Sequence, residues 1–284
     1  MTIVKVLGTA QDGGVPQTGC CCTNCQQAKL SSERRRSATC LGIIDEKTKE
    51  WVLVDATPDI KLQMEKMETA LHPTPQSIWL THAHIGHYPG LIFLGKEAMN
   101  TSQLPVYAGA GMGEFLRHHL PWSTLIEGKN IYIEELQHGK TYSKESYSIL
   151  PLLVPHRNEY SETFGFVIKG NERSLLYIPD IDRWDDWDED LLSVAKEVDY
   201  CLLDATFYSE DEVRGLGRDP KSIPHPFIKE TMDRLQPLVD QGKLMVYFTH
   251  LNHSNPALDS KSEARKTVNQ RGFKIAEEGM RIEL

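Results

Sequence analysis

Short apolar runs, many alternating with polar positions, recur along the chain and are separated by turns or by stretches with helical periodicity. Apolar runs of this length, bounded by Gly, Pro, Asp or Asn, predict strands. They fall at Ile3–Gly8, Trp51–Asp55, Ser77–Thr81, Leu104–Ala108, Ile131–Ile133, Tyr147–Val154, Phe164–Lys169, Leu175–Ile178, Asp199–Leu203 and Leu244–Thr249. A Gly-rich loop, Asp12–Val15, follows the first. Helical spacing covers Asp59–Leu71, Gly111–His119, Asp188–Val198, Pro226–Gln241 and Ser260–Gly272. Strands and helices mixed in one series, with no shift in composition, predict a single α/β domain over residues 1–284, built as a sandwich of sheets with outer helices.

Several strands end on a polar residue. His82, Asp180 and His250 each follow an apolar run, and His156 closes ILPLLVPH. Residues at strand ends gather on one rim of a sheet, where a site can form. The densest group is THAHIGH, with His82, His84 and His87 within one turn of chain. Imidazole suits zinc, iron or manganese, and three such ligands leave coordination positions open.

Composition sharpens this. The 284 residues carry a formal charge of −9, which disfavours a broad electrostatic grip on nucleic acid. No apolar run is long enough for a membrane span, and no secretory leader is evident, so a cytoplasmic protein with reduced thiols is expected. Four of the six cysteines lie between positions 20 and 25. Cys20, Cys22 and Cys25 form C-x-C-x-x-C, which wraps a tetrahedral zinc given a fourth ligand, for which His253 is the candidate. Cys21 is either a spectator or an alternative ligand. Cys40 and Cys201 lie among apolar residues and are expected in the core.

The motifs together resemble the metallo-β-lactamase superfamily. Thr81–His87 is similar to its HxHxDH signature, Asp55 to an early structural aspartate, His156 to a downstream histidine ligand, Asp180 to the aspartate that bridges two metals, and His250 to the last histidine ligand. The resemblance implies an αββα sandwich of two mixed β-sheets flanked by helices. It implies one or two active-site divalent ions (Zn, Mn or Fe), the first on His82, His84 and His156, the second on His87, Asp180 and His250. The chain departs from the signature at Gly86, where the family has an aspartate, so the second position lacks one anionic ligand. The N-terminal cysteine run with THLNH (Thr249–His253) resembles a subset comprising coenzyme PQQ synthesis protein B and the carbon–phosphorus lyase pathway phosphodiesterase. That resemblance implies one structural zinc on Cys20, Cys22, Cys25 and His253.

By the same resemblance the chain is expected to be a hydrolase acting on a phosphodiester or similar ester through a metal-bound hydroxide. Asp180 and His225 are its catalytic candidates, His225 as a proton donor by analogy with the phosphodiesterase. Its partner is then a small-molecule substrate, anionic or neutral, rather than a nucleic acid or a membrane. Two alternatives stand beside it: an iron-dependent oxidative enzyme of the PQQ synthesis protein B type, and a non-catalytic metal-binding protein. Around the site, Arg157, Glu159 and Glu162 are candidates for orienting ligands, contacting substrate or facing solvent; Asp182 points the same way as Asp180 on an extended segment, and Asp204 is a candidate for a structural role. Tyr88 and Trp122 are expected to pack, and WDDWDED (Trp184–Asp190) to start and cap a helix. His72, His118, His119 and His138 belong to no motif and are expected at the surface.

Overall fold

The computed structural model describes residues 1–284. Its strands are β1 (Thr2–Gly8), β2 (Cys40–Asp45), β3 (Glu50–Val54), β4 (Ile78–Trp79), β5 (Leu104–Ala108), β6 (Ile131–Glu135), β7 (Tyr142–Ser143), β8 (Ser148–Val154), β9 (Thr163–Lys169), β10 (Ser174–Ile178), β11 (Tyr200–Asp204), β12 (Met245–Thr249), β13 (Lys274–Ile275) and β14 (Arg281–Glu283). They form two seven-stranded sheets, ordered β14-β1-β2-β3-β4-β5-β6 and β13-β12-β11-β10-β9-β8-β7. Each sheet is antiparallel in one half and parallel in the other. The parallel halves require crossovers, and helices such as Ala110–His118, Ile228–Asp240 and Glu263–Gln270 provide them outside the sheets.

Strand alternation explains the layering. In β1, Ile3 and Leu7 face one apolar layer while Val4 and Val6 face another. In β2, Cys40 and Ile44 oppose Leu41 and Ile43 in the same way. With both faces buried, strands read as nearly continuous apolar runs. The middle layer, between the sheets, is centred on Trp79, which stacks on Tyr107 at 4.0 Å and meets Phe166 edge-on at 6.1 Å across the gap. The two outer layers lie under the helices. The architecture is thus the expected αββα sandwich of two mixed sheets. No helix is long and apolar enough to cross a membrane.

Some boundaries differ from the expected ones, with physical causes. The strand expected over Ser77–Thr81 pairs only at Ile78–Trp79, because Thr81 turns out of the ladder to bond Asp55. The helix expected to reach Leu71 ends at Glu65. The Lys66 carbonyl accepts from Lys5 Nζ, and Glu68 pairs with Lys5 at 2.7 Å, so this stretch is tied to β1 rather than wound on. WDDWDED starts as a single 3₁₀ turn whose tryptophans are buried, and only Asp190 caps the helix Leu191–Ala195. Cys40 and Cys201 are buried in the core, and His72, His118, His119 and His138 are exposed. Tyr88 and Trp122 pack on Phe115, with ring centroids at 5.3 and 5.7 Å from it.

Candidate metal centre

The site lies where strands of both sheets end. Thr81–His87 follows β4, His156 follows β8, Asp180 follows β10 and His250 follows β12. Asp55, just past β3, and His250 hold left-handed backbone with φ of 67° and 60°. Such a conformation is costly for residues with a side chain and is kept where surroundings impose it. Here it turns both side chains back into the rim.

Two matching networks orient the imidazoles, one from each sheet. In the first, Thr81 Oγ1 donates its single hydrogen to Asp55, whose carboxylate oxygens lie at 3.0 Å. Having spent that hydrogen, the hydroxyl accepts from His82 Nδ1 at 3.0 Å, while His87 Nδ1 donates to Asp55 Oδ2 at 2.8 Å. In the second, Thr206 Oγ1 donates to Asp204 Oδ1 at 2.8 Å and accepts from His250 Nδ1 at 3.0 Å. His225 Nδ1 donates to Asp204 Oδ2 at 2.8 Å. Asp182 accepts from His156 Nδ1 at 2.7 Å, and Glu159 from His84 Nε2 at 3.0 Å. A neutral imidazole carries one N–H and one lone pair. With the outward nitrogen protonated, the inward atom is bare in all five: Nε2 of His82, His87, His156 and His250, and Nδ1 of His84.

These bare nitrogens face one another. His84 Nδ1 is 2.9 Å from His82 Nε2 and 3.0 Å from His156 Nε2. Lone pairs do not approach to hydrogen-bond distance without a cation between them. Asp180 Oδ2 is 3.4 Å from His82 Nε2 and from His156 Nε2, and 3.6 Å and 4.0 Å from His250 Nε2 and His87 Nε2. Ligand bonds of ~2.0–2.1 Å in a tetrahedral shell set donors ~3.3 Å apart, a value that the 2.9 to 3.4 Å separations among His82, His84, His156 and Asp180 bracket. One donor set is therefore His82, His84, His156 and Asp180, and a second gathers Asp12, His87 and His250 beside the same Asp180 oxygen. His87 Nε2, His250 Nε2, Asp180 Oδ1 and Asp12 Oδ1 are buried without a hydrogen-bond partner. Stranded polar atoms concentrated in one place fit divalent ions and would be costly without them.

Electrostatics favour the neutral form at His82, His84 and His250, whereas His87 keeps a proton that a divalent ion would displace. Burial pushes His82 well below the usual imidazole range and lowers His84 and His250. Burial also works to lower His87, but Asp55, Asp12 and Asp180 outweigh it and raise the group to about 9. Burial likewise opposes the charges of Asp204 and Asp180 at His225, which is raised to about 9. Burial alone would raise Asp180; His250, His156, His225 and His82 hold it well below the carboxylate range.

A second cluster lies apart. His253 Nδ1 is 3.4 Å from both Cys20 Sγ and Cys22 Sγ, and Cys25 completes the group. Zn–S bonds of ~2.3 Å give donor spacings of ~3.6 Å. Backbone N–H of Gln17 and of Cys22 donate to Cys25 and Cys20 sulfur at 3.3 Å, the pattern that supports thiolates. Cys21 points outward, exposed.

A family model described as a β-lactamase superfamily domain matches residues 50–251. The chain belongs to the metallo-β-lactamase superfamily. Coenzyme PQQ synthesis protein B of Methylococcus capsulatus is 28% identical over 99% of this chain and 100% of its own. The protein of the same name from Nitrosococcus oceani is 27% identical over 99% of each. In fold, the chain is similar to Zn(2+)-bound PqqB from Methylobacterium extorquens, with TM-score 0.85, 23% identity and full coverage of both chains. A diphosphatase from the PhnP family superimposes with TM-score 0.71 and 21% identity over 100% of this chain and 97% of the other.

Each expected ligand of this superfamily member is thus at the rim or in the cysteine cluster. Glu162 is elsewhere: it accepts from Gly111 N at 3.0 Å and holds the start of helix Ala110–His118. The orienting roles of Thr81 and Thr206, and the presence of Asp12, were not read from sequence. Asp12 carried one signal, an acidic residue in a Gly-rich loop directly after a buried strand.

Proposed function

We propose that the chain is a metal-dependent hydrolase whose substrate is a small phosphodiester or similar ester. The observation that carries this is the single oxygen, Asp180 Oδ2, lying within 4.0 Å of four inward-facing imidazole nitrogens from two donor sets. That oxygen suits a bridge between two ions. His82, His84 and His156 would hold one, His87 and His250 the other, and Asp180 would serve both. Bound divalent ions supply Lewis acidity and an acidified water at neutral pH.

The chain's own groups do the rest. His225 is buried, and Asp204 and Asp180 raise it to about 9 against the effect of burial. Its Nδ1 is committed to Asp204, which leaves Nε2–H to protonate a departing alkoxide oxygen. A cavity of about 250 Å³, lined in part by Arg183, Lys221, Ile223 and Phe227, reaches His225 from outside. Arg183 and Lys221 share that opening with Asp185, Glu210 and Glu230, so it is polar and of mixed charge.

The test is hydrolysis of bis(p-nitrophenyl) phosphate by protein reconstituted with Zn2+ or Mn2+. Turnover is expected, lost in His82→Ala and in Asp180→Ala. His225→Gln should lower kcat by ~10²-fold or more with little change in KM. Full activity and full metal content in both ligand variants would sink the assignment. End-to-end similarity to coenzyme PQQ synthesis protein B supports a second reading, an iron-dependent oxidation. Oxygen uptake by the Fe2+-loaded protein, with no ester hydrolysis by any loaded form, selects it.

A further inference from the structure

We propose that Asp12 supplies the carboxylate of the second metal position, from the N-terminal loop, in the space that Gly86 leaves open. This rests on the two-ion reading above. The superfamily signature places an aspartate where this chain has Gly86, and the position looks deficient in sequence. In space it is filled. A Cβ built on Gly86 would lie 2.1 Å from Asp12 Oδ1, 3.0 Å from Asp12 Cγ and 2.8 Å from Asp12 Cα. The Asp12 carboxylate therefore occupies the volume that a side chain at 86 would take, and the two cannot coexist.

The Asp12 oxygen points the right way. Oδ1 is buried with no hydrogen-bond partner and lies 3.6 Å from His87 Nε2. Asp12, His87 and His250 together bring one donor atom each within 4.8 Å of one another. Asp180 Oδ2 lies beside this group, 3.6 Å from His250 Nε2 and 4.0 Å from His87 Nε2. The spacing of 3.6 Å is too long for a hydrogen bond and fits two donors sharing an ion.

The loop is built to hold Asp12 there. Gln11 N donates to Leu251 O at 3.0 Å, next to His250, and Leu251 N donates to Thr9 O at 2.9 Å. Gly14 N donates to Gln11 O at 2.8 Å, and Gly14 takes φ +65°, closing a turn around Asp12 that a residue with a side chain would strain. The segment carrying Asp12 and the one carrying His250 are thus a single paired unit.

The experiment titrates Zn2+ against a competing chelator into chelator-stripped wild type, Asp12→Asn, and the exchange variant Asp12→Gly/Gly86→Asp. Near-UV circular dichroism monitors the fold. Mn2+-loaded samples are read by electron paramagnetic resonance for the spin-coupled pair. Wild type should take up two ions in the histidine cluster besides the cysteine zinc. Asp12→Asn should retain one at unchanged affinity, weaken the other at least ~10-fold and lose the coupled signal. The exchange variant, whose glycine at 12 lets the backbone yield to the new Cβ, should regain both. Wild-type affinity and a coupled signal in Asp12→Asn overturn the proposal while the two-ion reading stands. A wild type that takes a single ion in the histidine cluster overturns that reading and the proposal with it.

Discussion

At the scale of single residues, the site is governed by where hydrogens are placed on imidazoles. Thr81 and Thr206 matter because a hydroxyl that gives its only hydrogen to an aspartate can only accept from the next group. Their reach differs. Thr81 Oγ1 touches His82 and His87, ligands of both positions, whereas Thr206 Oγ1 touches His250 and His225. Thr206→Val should therefore weaken the second ion by ~10–100-fold and leave the first unchanged, and Thr81→Val should weaken both. Zn2+ competition titrations separate the two; Thr206→Ser should restore wild-type binding. Equal losses at both positions in Thr206→Val would contradict the orienting role. The histidines were legible in the sequence because three are near neighbours and the others end apolar runs. The hydroxyls were not, since Thr206 meets His250 across 44 residues of chain and Thr81 meets Asp55 across 26. Asp12 was hidden for the same reason: it fills a place belonging to residue 86.

At the scale of elements, the segment after β1 contributes to both candidate metal clusters. Asp12 reaches the histidine cluster, and Cys20, Cys22 and Cys25 reach His253, three residues after His250. A structural ion bound at the far end would restrict the loop that presents Asp12. Cys20→Ser/Cys22→Ser, both only partly buried, should remove the cysteine-bound zinc and speed amide exchange at Gln11, Gly14 and Val15. Amides of β9 and β10 should keep their protection. The second histidine-cluster ion should weaken in the same variant while the ion on His82, His84 and His156 holds. Unchanged exchange across residues 9–25 would show that the loop is fixed by its backbone pairing alone. Elements bearing strong periodicity, such as Leu104–Ala108 and Ile228–Asp240, were legible. The strand β2 was not, although Leu41, Ile43 and Ile44 are apolar, because Gly42 interrupts the run; a Cβ there would lie only 3.1 Å from the Met67 side chain. The two-residue strands β7 and β13 lack the length for any pattern and exist only through pairing with their neighbours.

At the scale of the whole molecule, the ions would join two halves of the sandwich. His82, His84 and His87 hang from the first sheet, and His156, Asp180 and His250 from the second. The sheets are otherwise held face to face by the apolar layer around Trp79, Phe166 and Tyr177. An ion bound to the native state alone adds RT ln(1 + [ion]/Kd), about 2.7 kcal/mol at a free concentration ~100 times Kd. For a chain of this size that is roughly 4–5 °C in Tm per ion. Chelator-stripped protein should therefore melt at lower temperature by calorimetry, and Zn2+ should restore Tm progressively as successive sites fill. His82→Ala/His156→Ala should lose the contribution of the ion on those residues and keep that of the cysteine cluster, which lies outside the rim. The net charge of −9 bears on this as well. Carboxylates packed among imidazoles at the rim add to a surplus of negative charge, and divalent ions offset it where both sheets meet. Loss of the ions should then cost more at low ionic strength than at high, where salt screens the residual repulsion. An identical Tm for stripped and loaded protein at every ionic strength would mean that the rim is stable without ions and that the stranded nitrogens and oxygens are satisfied in another way.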